Sequence, residues 1–522
     1  MSCWFLRLAP IFWMLASSAQ AEAPPRLKQE AARLIDARSK QAQEMVDKVF
    51  SFAEPGFQEY ATAAYLTSKL ESHGFKVERG ISGIPTAFRA SWGKSGPTIL
   101  LASDIDAVLG TSQMPGTSSL RPLVAGAPGH GEGHNSGMAV IIAAAQALKS
   151  IMEEHDLGGQ LVILPGVAEE LLGSKAFYVR DGLLKDVDVA LFAHVSPTFN
   201  TAWGDLGSTG MVSVEYRFTG RTAHAAMDPW EGRSALDAVE VMSAAWNLRR
   251  EHLPITHRSH YVITNGGGQP NVVPAEAAVW YYLRERTFGG VRTLFETANQ
   301  ISEAAAKATG TTVSRRILGY AAPQYGNKPL AEAAWKNIKT IGMPVWSAAD
   351  QAFAREVQTA NGRTPRPLDS LVPPLSTPFN RPPMPHGGSD DVGDIMWAVP
   401  TITIFYPSNV PNLINHNPLA AMAMATPIAH KGVIAGAKAV AFTVLDLLTT
   451  PQLISEAKAY FSNVQLKDQH YETLLSATDK PAIWINSDIM KKYREEMSPL
   501  YYDEDRYDTY LDQLGIDYER ER

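Results

Sequence analysis

Four apolar runs of this chain end just before segments that contain acids and histidines. The runs cover residues 98–102, 161–164, 187–192 and 401–406, and they are short and rich in β-branched or aromatic side chains. Such runs predict buried strands, and helical patterns such as residues 138–148 lie between them. Strands that alternate with helices indicate an open α/β sheet, in which functional side chains follow the carboxyl ends of the strands.

The polar residues after these runs are of the types that bind divalent metal ions. Mixed carboxylate and imidazole ligands suit zinc or manganese. Two adjacent glutamates allow one carboxylate to bind metal while the other takes a proton from the attacking water. The sequence therefore predicts a metal-dependent hydrolase. The candidate residues are Asp104, Asp106, Glu132, His134, Glu169, Glu170, His194 and His416.

The middle of the chain changes to a pattern of alternating strands with two interspersed helices. The order β-α-β-β-α-β is that of the ferredoxin-like unit. We therefore predict a compact ferredoxin-like domain that interrupts the α/β domain. The predicted strands are residues 211–218, 260–264, 277–283 and 311–318, and the predicted helices are residues 234–248 and 291–309.

At 522 residues the chain is too long for one ordinary core, so several domains are expected. A proline-rich loop at 360–386 cannot be regular structure, and both a lid over the site and an ordinary surface excursion fit it. The predicted organisation is a signal peptide at 1–21, a catalytic domain in two parts at 22–209 and 320–449, a ferredoxin-like domain at 210–319 and a C-terminal extension at 450–522.

The first 21 residues have the features of a secretory signal peptide. Arg7 precedes the apolar run 8–16, and Ala19-Gln20-Ala21 has the form of a cleavage site. We predict export to the periplasm or the medium, with cleavage after Ala21 and no stable membrane anchor afterwards. The single cysteine, Cys3, lies in this leader, so the mature chain has no thiolate ligand. The net charge of −7 argues against nucleic acid as a partner.

Six short phrases occur along the chain in the order in which a known family carries them. They are Gly129–Asn135, Ala168–Glu170, Thr222–Ala225, Asn271–Pro274, Gly388–Asp394 and Ala429–Gly432. Together they resemble the di-metal amidohydrolase and peptidase family that contains aminobenzoyl-glutamate hydrolase and amino-acid-conjugate hydrolases. The resemblance implies an α/β catalytic domain interrupted by a ferredoxin-like dimerisation domain, which agrees with the pattern of predicted elements.

The resemblance also implies two divalent ions per chain, Zn²⁺ or Mn²⁺. Glu132 would bridge the two ions, His134 and His194 would hold one of them, and Glu170 and His416 would hold the other. Relatives of the conjugate-hydrolase type carry a cysteine at the Glu132 position, so this chain departs from them there. A carboxylate still bridges two ions and favours zinc or manganese over softer metals.

The remaining roles in the catalytic domain follow from the same resemblance. Glu169 would be the general base, which takes a proton from the attacking water and passes it to the leaving amine. Asp106 would orient a ligand histidine. Asp104 stands where other branches of the family have a metal-binding histidine, and Asn135 replaces the aspartate usual there. His430 competes with His416 as a ligand, and we interpret it as structural.

Four further residues are expected to contact substrate. His224 would reach the active site of the partner subunit in a homodimer and stabilise the oxyanion there. Asn271 and Arg284 would hold a carboxylate or carbonyl group, although Asn271 is also compatible with a plain turn and Arg284 with an ion pair to a neighbouring glutamate. Gly388 would allow backbone N–H groups to approach the substrate.

These residues predict an enzyme that cleaves the amide bond of N-acyl or N-aroyl amino acids such as aminobenzoyl-glutamate. Two alternatives are open. One is a dipeptidase or carboxypeptidase of the same family, which would differ only in its pocket. The other is a non-catalytic peptide-binding protein, which the departures at Glu132 and Asn135 motivate and the intact Glu169-Glu170 pair opposes.

Overall fold

The computed structural model describes residues 22–381 and 387–519, so the predicted signal peptide lies outside the described residues. The strands are β1 Lys76–Arg79, β2 Phe88–Lys94, β3 Thr98–Asp104, β4 Gly159–Gly166, β5 Val189–Ser196, β6 Asn200–Thr201, β7 Gly204–Asp205, β8 Gly210–Thr219, β9 Arg258–Asn265, β10 Glu276–Glu285, β11 Thr312–Ala321, β12 Tyr325–Gly326 and β13 Thr401–Pro407.

The helices flank these strands along most of the described chain. They are α1 Pro25–Asp36, α2 Ser39–Phe52, α3 Tyr60–Ser72, α4 Gly137–Glu154, α5 Lys175–Arg180, α6 Ala235–Arg249, α7 Phe288–Thr309, α8 Lys328–Ile341, α9 Ala348–Ala360, α10 Val392–Ala398, α11 Pro427–Thr449, α12 Pro451–Tyr460, α13 Ser487–Met497 and α14 Tyr510–Gln513.

A seven-stranded mixed sheet with the order β1-β2-β4-β3-β5-β13-β6 forms the larger unit. Its four central strands, β4, β3, β5 and β13, are parallel, and they are the four apolar runs of the sequence. The outer strands pair antiparallel. Every residue of β3 is buried, because helices cover both faces of a sheet of this kind. The predicted α/β fold class is confirmed.

Helix α11 is the central helix of this unit. Among the described residues it is the single helix long and apolar enough to span a membrane, but 78% of its most apolar window is buried inside the fold. Close packing explains the burial: a side chain at Gly436 would come within 2.7 Å of the Tyr406 side chain on β13. We therefore interpret α11 as a core helix that lies against the sheet.

A four-stranded antiparallel sheet with the order β11-β8-β10-β9 forms the second unit. Together with α6 and α7 it has the predicted β-α-β-β-α-β order, and the predicted ferredoxin-like element types are confirmed. Residues on alternate positions of β8 and β10, such as Val214 and Tyr281, belong to a buried core shared with α6 and α7. Strand β9 is one of the two edge strands of this sheet, and Val262 on it is 58% exposed. The exact domain boundaries stay a prediction.

The C-terminal extension packs against both units. Arg494 on α13 lies 2.6 Å from the buried carboxylate of Glu54, in the segment between α2 and α3. Glu472, before α13, lies 2.7 Å from Arg292 on α7. The extension is thus part of the folded protein, although its composition alone indicated no role.

Candidate metal centre

Glu132 lies between two histidines that come from distant parts of the chain. Its Oε2 is 2.8 Å from Nε2 of His416, and its Oε1 is 3.8 Å from Nε2 of His194. Gly133 has a φ of 120°, and a side chain there would come within 2.2 Å of the Met424 sulfur. Glycine is therefore required where the chain turns between Glu132 and the next candidate ligand. Two oxygens that face different histidines fit a carboxylate that bridges two ions.

The predicted ligands fall into two groups, which a third group of His134, Glu169 and Glu170 connects. One group joins Asp104, His134 and His194, and a second joins Glu132, Glu170 and His416, each with one ligand atom per residue within 4.8 Å of the others. Folding therefore gathers all five predicted ligands at the carboxyl ends of the parallel strands. His416, the ligand with the least distinctive sequence context, is 55% exposed at its side chain yet faces both Glu132 and Glu170.

The orientation of His194 leaves one ring nitrogen free for a metal. Its Nδ1 is 2.8 Å from the carbonyl oxygen of Val195. A carbonyl only accepts hydrogen bonds, so Nδ1 carries the hydrogen and Nε2 of the neutral ring keeps its lone pair. That Nε2 faces Glu132, as a metal ligand should.

Glu169 and Glu170 sit on a short turn between two residues in left-handed conformations. Ala168 and Leu172 both have a φ of 51°, which costs energy for residues other than glycine. The backbone N–H of Ala168 donates to the buried carboxylate of Glu59 at 2.8 Å. Glu59 therefore holds the turn in place, a role that its sequence context alone did not reveal.

Asp106 contacts two of the predicted ligands. One of its oxygens accepts a hydrogen bond from the backbone N–H of Glu170 at 3.1 Å, and the other lies 3.4 Å from Nδ1 of His134. The carboxylate is 1% exposed. Asp106 is thus placed to orient a ligand histidine and the Glu169-Glu170 turn together.

The site contains several buried carboxylates close together, and this crowding of negative charge favours the binding of cations. Burial and the neighbouring Glu132 raise the pKa of Glu170 to about 8. Burial, with Asp390 and Asp104 nearby, raises the pKa of Glu169 well above its usual range. Burial alone would also raise the pKa of Glu132, but the hydrogen bond to His416 and the charges of nearby histidines lower it to about 2.

Several buried polar atoms of the site have no hydrogen-bond partner among the described residues. They include Nε2 of His134, Oε1 of Glu170 and Oδ2 of Asp104. Buried polar atoms without partners are costly, and divalent ions held by these residues would satisfy them. The donor set of imidazoles and carboxylates therefore fits divalent ions.

A cavity of about 600 Å³ opens over these residues between the two units. Among its described lining residues, Arg284 on β10 is the single arginine or lysine. Its Nε is buried without a hydrogen-bond partner, and its guanidinium lies 5.5 Å from the centre of the Tyr282 ring. The ion pair with a neighbouring glutamate, considered from the sequence, is not found among the described residues. Gly388 also lines the cavity, while residues 382–386 before it lie outside the described part.

His224 and Asn271 do not line this cavity. The two residues lie in adjacent exposed loops, where Ala225 donates its N–H to the carbonyl of Asn271 at 3.0 Å. These loops adjoin the Glu276 end of β10, whereas Arg284 is near its other end, eight residues or roughly 26 Å away. Within one chain the structure therefore does not bring these two predicted residues to the site.

The structure also places two further residues, His430, which competed with His416 as a candidate ligand, and Lys175. Nε2 of His430 lies 2.7 Å from the carboxylate of Asp47, away from the metal ligands, in agreement with a structural role. Lys175, which the sequence did not single out, is buried and lies 2.6 Å from Asp104. Its position in a short helix after the Glu169 turn gave no signal of this contact.

Comparison with known proteins places this chain in a family. Residues 206–310 match the peptidase dimerisation domain of the M20 family. Over 459 residues, 82% of this chain and 94% of the relative, the chain is 33% identical to a subunit of the p-aminobenzoyl-glutamate hydrolase of Escherichia coli strain K12. The chain belongs to the M20 family of metal-dependent peptidases and amidohydrolases. This M20 hydrolase is therefore a metal-dependent enzyme that acts on amide bonds, and the predicted family and enzyme class are confirmed.

Two further proteins are similar to this chain. The Xaa-Arg dipeptidase of Mus musculus is 28% identical over 450 residues, which are 83% of this chain and 92% of the relative. The crystal structure of an aminobenzoyl-glutamate utilization protein from Klebsiella pneumoniae superposes with a TM-score of 0.52 at 17% identity, over 77% of this chain and 97% of that one. The latter likeness concerns the fold alone.

Proposed function

We propose that this M20 hydrolase removes the acyl group from N-acyl and N-aroyl amino acids that carry a free carboxylate, such as aminobenzoyl-glutamate. Arg284 is the observation that carries the proposal, because its half-buried side chain lines the cavity beside the metal centre and its buried Nε has no hydrogen-bond partner among the described residues. A guanidinium matches a carboxylate in shape and charge. The 33% identity to the p-aminobenzoyl-glutamate hydrolase of Escherichia coli supports this substrate class.

The side chains divide the reaction between them. Divalent ions held by Glu132, His134, Glu170, His194 and His416, which we propose to be zinc or manganese, polarise the amide carbonyl and acidify water when bound. Glu169 takes the proton of the attacking water and returns it to the leaving nitrogen. Asp106 and Glu59 hold the Glu169-Glu170 turn at its place beside the centre.

A homodimer would complete the site, and the matched dimerisation domain supports this proposal. The edge strand β9 runs from Arg258, which pairs with Arg284, to Asn265 at the opposite end of the sheet. If two copies pair antiparallel through β9 about a twofold axis, the Asn265 end of one copy lies beside the Arg258 end of the other. The loops that carry His224 and Asn271 would then approach the cavity of the partner subunit.

Export is part of the same proposal. The leader at residues 1–21 and the cleavage form at Ala19–Ala21 support secretion to the periplasm or medium. N-terminal sequencing of the exported protein should begin at Glu22. A start at Met1 in the cytoplasmic fraction would contradict it.

A dipeptidase is the second candidate function, and the similarity to the Xaa-Arg dipeptidase favours it. Both candidates use the same metal centre and differ in what the cavity accepts. The non-catalytic binding protein has no such support, since the chain belongs to a family of hydrolases.

Substitution of Arg284 tests the choice of substrate. We expect Arg284→Gln to lower kcat/KM for aminobenzoyl-glutamate by about 10–100-fold, since a hydrogen bond to a charged group contributes about 1.5–3 kcal/mol. The same variant should change little on a substrate whose carboxylates are amidated. Arg315→Gln is the matched control, because Arg315 lies on β11, at the edge of the sheet opposite β9, and does not line the cavity.

Hydrolysis of a panel that includes aminobenzoyl-glutamate and several Xaa-Arg dipeptides separates the two candidates. Faster turnover of the aroyl-amino acid supports the proposal, whereas selective hydrolysis of the dipeptides supports the second candidate. Equal losses in Arg284→Gln on free and amidated substrates would show that Arg284 does not recognise the carboxylate.

A further inference from the structure

Asp104 has one oxygen in an ion pair and one free oxygen. It lies at the end of β3 between two parallel neighbours and is 0% exposed. Its Oδ1 accepts a hydrogen bond from Nζ of Lys175 at 2.6 Å. Its Oδ2 is buried and has no hydrogen-bond partner among the described residues. A buried carboxylate oxygen without a partner is costly, so this one requires a cation or a donor.

Asp104 belongs to a group of candidate ligands that includes two imidazoles. Ligand atoms of Asp104, His134 and His194 all lie within 4.8 Å of one another, and the two imidazole rings are 5.4 Å apart. Nε2 of His134 also has no partner among the described residues, and His194 presents Nε2 because its Nδ1 bonds to the backbone. Each of the three residues therefore offers a ligand atom close enough to the other two to share one ion.

We propose that Asp104 is a direct ligand of the ion held by His134 and His194. Its Oδ2, the two imidazoles and Oε1 of Glu132 give that ion four protein ligands, two nitrogens and two oxygens, a set that suits zinc. The inference rests on the metal requirement of the proposed function. It adds a ligand that the resemblance does not supply, at a position where other branches of the family have histidine.

Lys175 explains how Asp104 is held for this role. Its ammonium group is surrounded by carboxylates of Asp104, Asp391 and, at 3.8 Å, Asp390. Glycine at 166, the neighbour of Asp104 on β4, makes room for the pair, because a side chain there would come within 1.9 Å of Oδ1 of Asp104. The ammonium group therefore fixes Oδ1 and leaves Oδ2 without a hydrogen-bond partner among the described residues.

Asp391 provides a matched comparison at the other side of the same lysine. One of its oxygens accepts the backbone N–H groups of Ser174 and Lys175, at 3.2 and 3.0 Å, and the other binds the Lys175 ammonium. Both oxygens are thus engaged, so Asp391 has none to give to an ion beside His134 and His194. Asp104 and Asp391 thus contact the same lysine ammonium, but only Asp104 has an oxygen without a hydrogen-bond partner among the described residues.

The test measures zinc affinity of full-length Asp104→Asn and Asp391→Asn proteins by competition with a chromophoric chelator. Loss of a residue that contacts a metal ligand, without binding the metal itself, lowers metal affinity by about 10–100-fold. Loss of a ligand should therefore lower the zinc affinity of its site by more than about 100-fold. We expect Asp104→Asn to lose at least about tenfold more affinity than Asp391→Asn. Equal losses in the two variants overturn the proposal.

A measurement on the unaltered protein covers the case in which either variant fails to fold. Crystals of the zinc-loaded protein give the ion positions by anomalous diffraction. An Asp104 oxygen at about 2.0–2.2 Å from the ion beside His134 and His194 supports the proposal. An Asp104 carboxylate outside bonding distance, with both oxygens on Lys175 or on water, overturns it.

Parallel assays of aminobenzoyl-glutamate hydrolysis keep this inference apart from the proposed function. Zinc bound through Asp104 without hydrolysis of any substrate would contradict the function and leave the ligand assignment intact. Hydrolysis by a protein whose ion lies away from Asp104 would contradict the ligand assignment alone.

Discussion

Replacement of Glu169 by glutamine should lower kcat by roughly 10²–10⁴-fold, the range that a positioned acid–base group contributes. Glutamine has nearly the same shape as glutamate but neither accepts the proton of water nor returns it to a leaving nitrogen. Glu169 is 7% exposed and lies next to the metal ligand candidate Glu170, so little bulk water is present to replace it. KM should change much less than kcat, because the substitution leaves the carboxylate contact at Arg284 in place.

Glu170→Gln is the matched control for this prediction. The two glutamates are adjacent, but Glu170 groups with Glu132 and His416, whereas Glu169 also faces Asp390 and Asp391. Purified Glu169→Gln should retain about two ions per chain, and Glu170→Gln should lose one of them. Metal analysis beside steady-state kinetics makes the distinction. Full activity of Glu169→Gln would remove it from the mechanism, and loss of metal from that variant would reassign it as a ligand.

Mixed dimers of two inactive variants should regain activity if His224 serves the partner subunit. His224→Ala should lower kcat by roughly 10²–10³-fold, as loss of an oxyanion contact does. A dimer of one Glu169→Gln chain and one His224→Ala chain has one complete site, formed by the intact Glu169 of the second chain and the intact His224 of the first. Random pairing at equal amounts would restore about a quarter of the unaltered sites.

Co-expression with two affinity tags isolates the mixed dimers for this measurement. A pair of Glu169→Gln and Arg284→Gln chains is the control, because both residues lie in the cavity of their own chain and no mixed site is complete. Recovered activity in the first pair and none in the second supports the shared site. No recovery in the first pair would place His224 outside the reaction or within its own subunit.

The amino-acid sequence determined the central strands of the sheet and the set of candidate ligands. The four apolar runs became the parallel centre of the sheet because only strands buried on both faces tolerate such continuous apolar sequence. Because parallel strands end at the same edge of the sheet, the polar residues that follow them lie close together there. The glycine between Glu132 and His134 also marks a turn in the sequence, and Gly133 has a positive φ in the structure.

Local patterns did not reveal the residues that support the site through long-range contacts. Glu59 looks like an ordinary acid at the start of a helix, yet it is buried and holds Ala168, more than a hundred residues later. Lys175 and Asp391 are 216 positions apart and pair only in the folded chain. Charged residues of this kind are usually exposed, so their burial is decided by neighbours that no local pattern specifies.

The sequence by itself thus determined which side chains are candidate ligands and which strands precede them, because strand periodicity and ligand chemistry are local properties. Only the tertiary structure decided that the two oxygens of Glu132 face different histidines, that Oδ2 of Asp104 lacks a partner among the described residues, and that His224 lies far from its own cavity. These features depend on side-chain orientation and on distances between elements. Packing sets both, and they are properties of the whole fold.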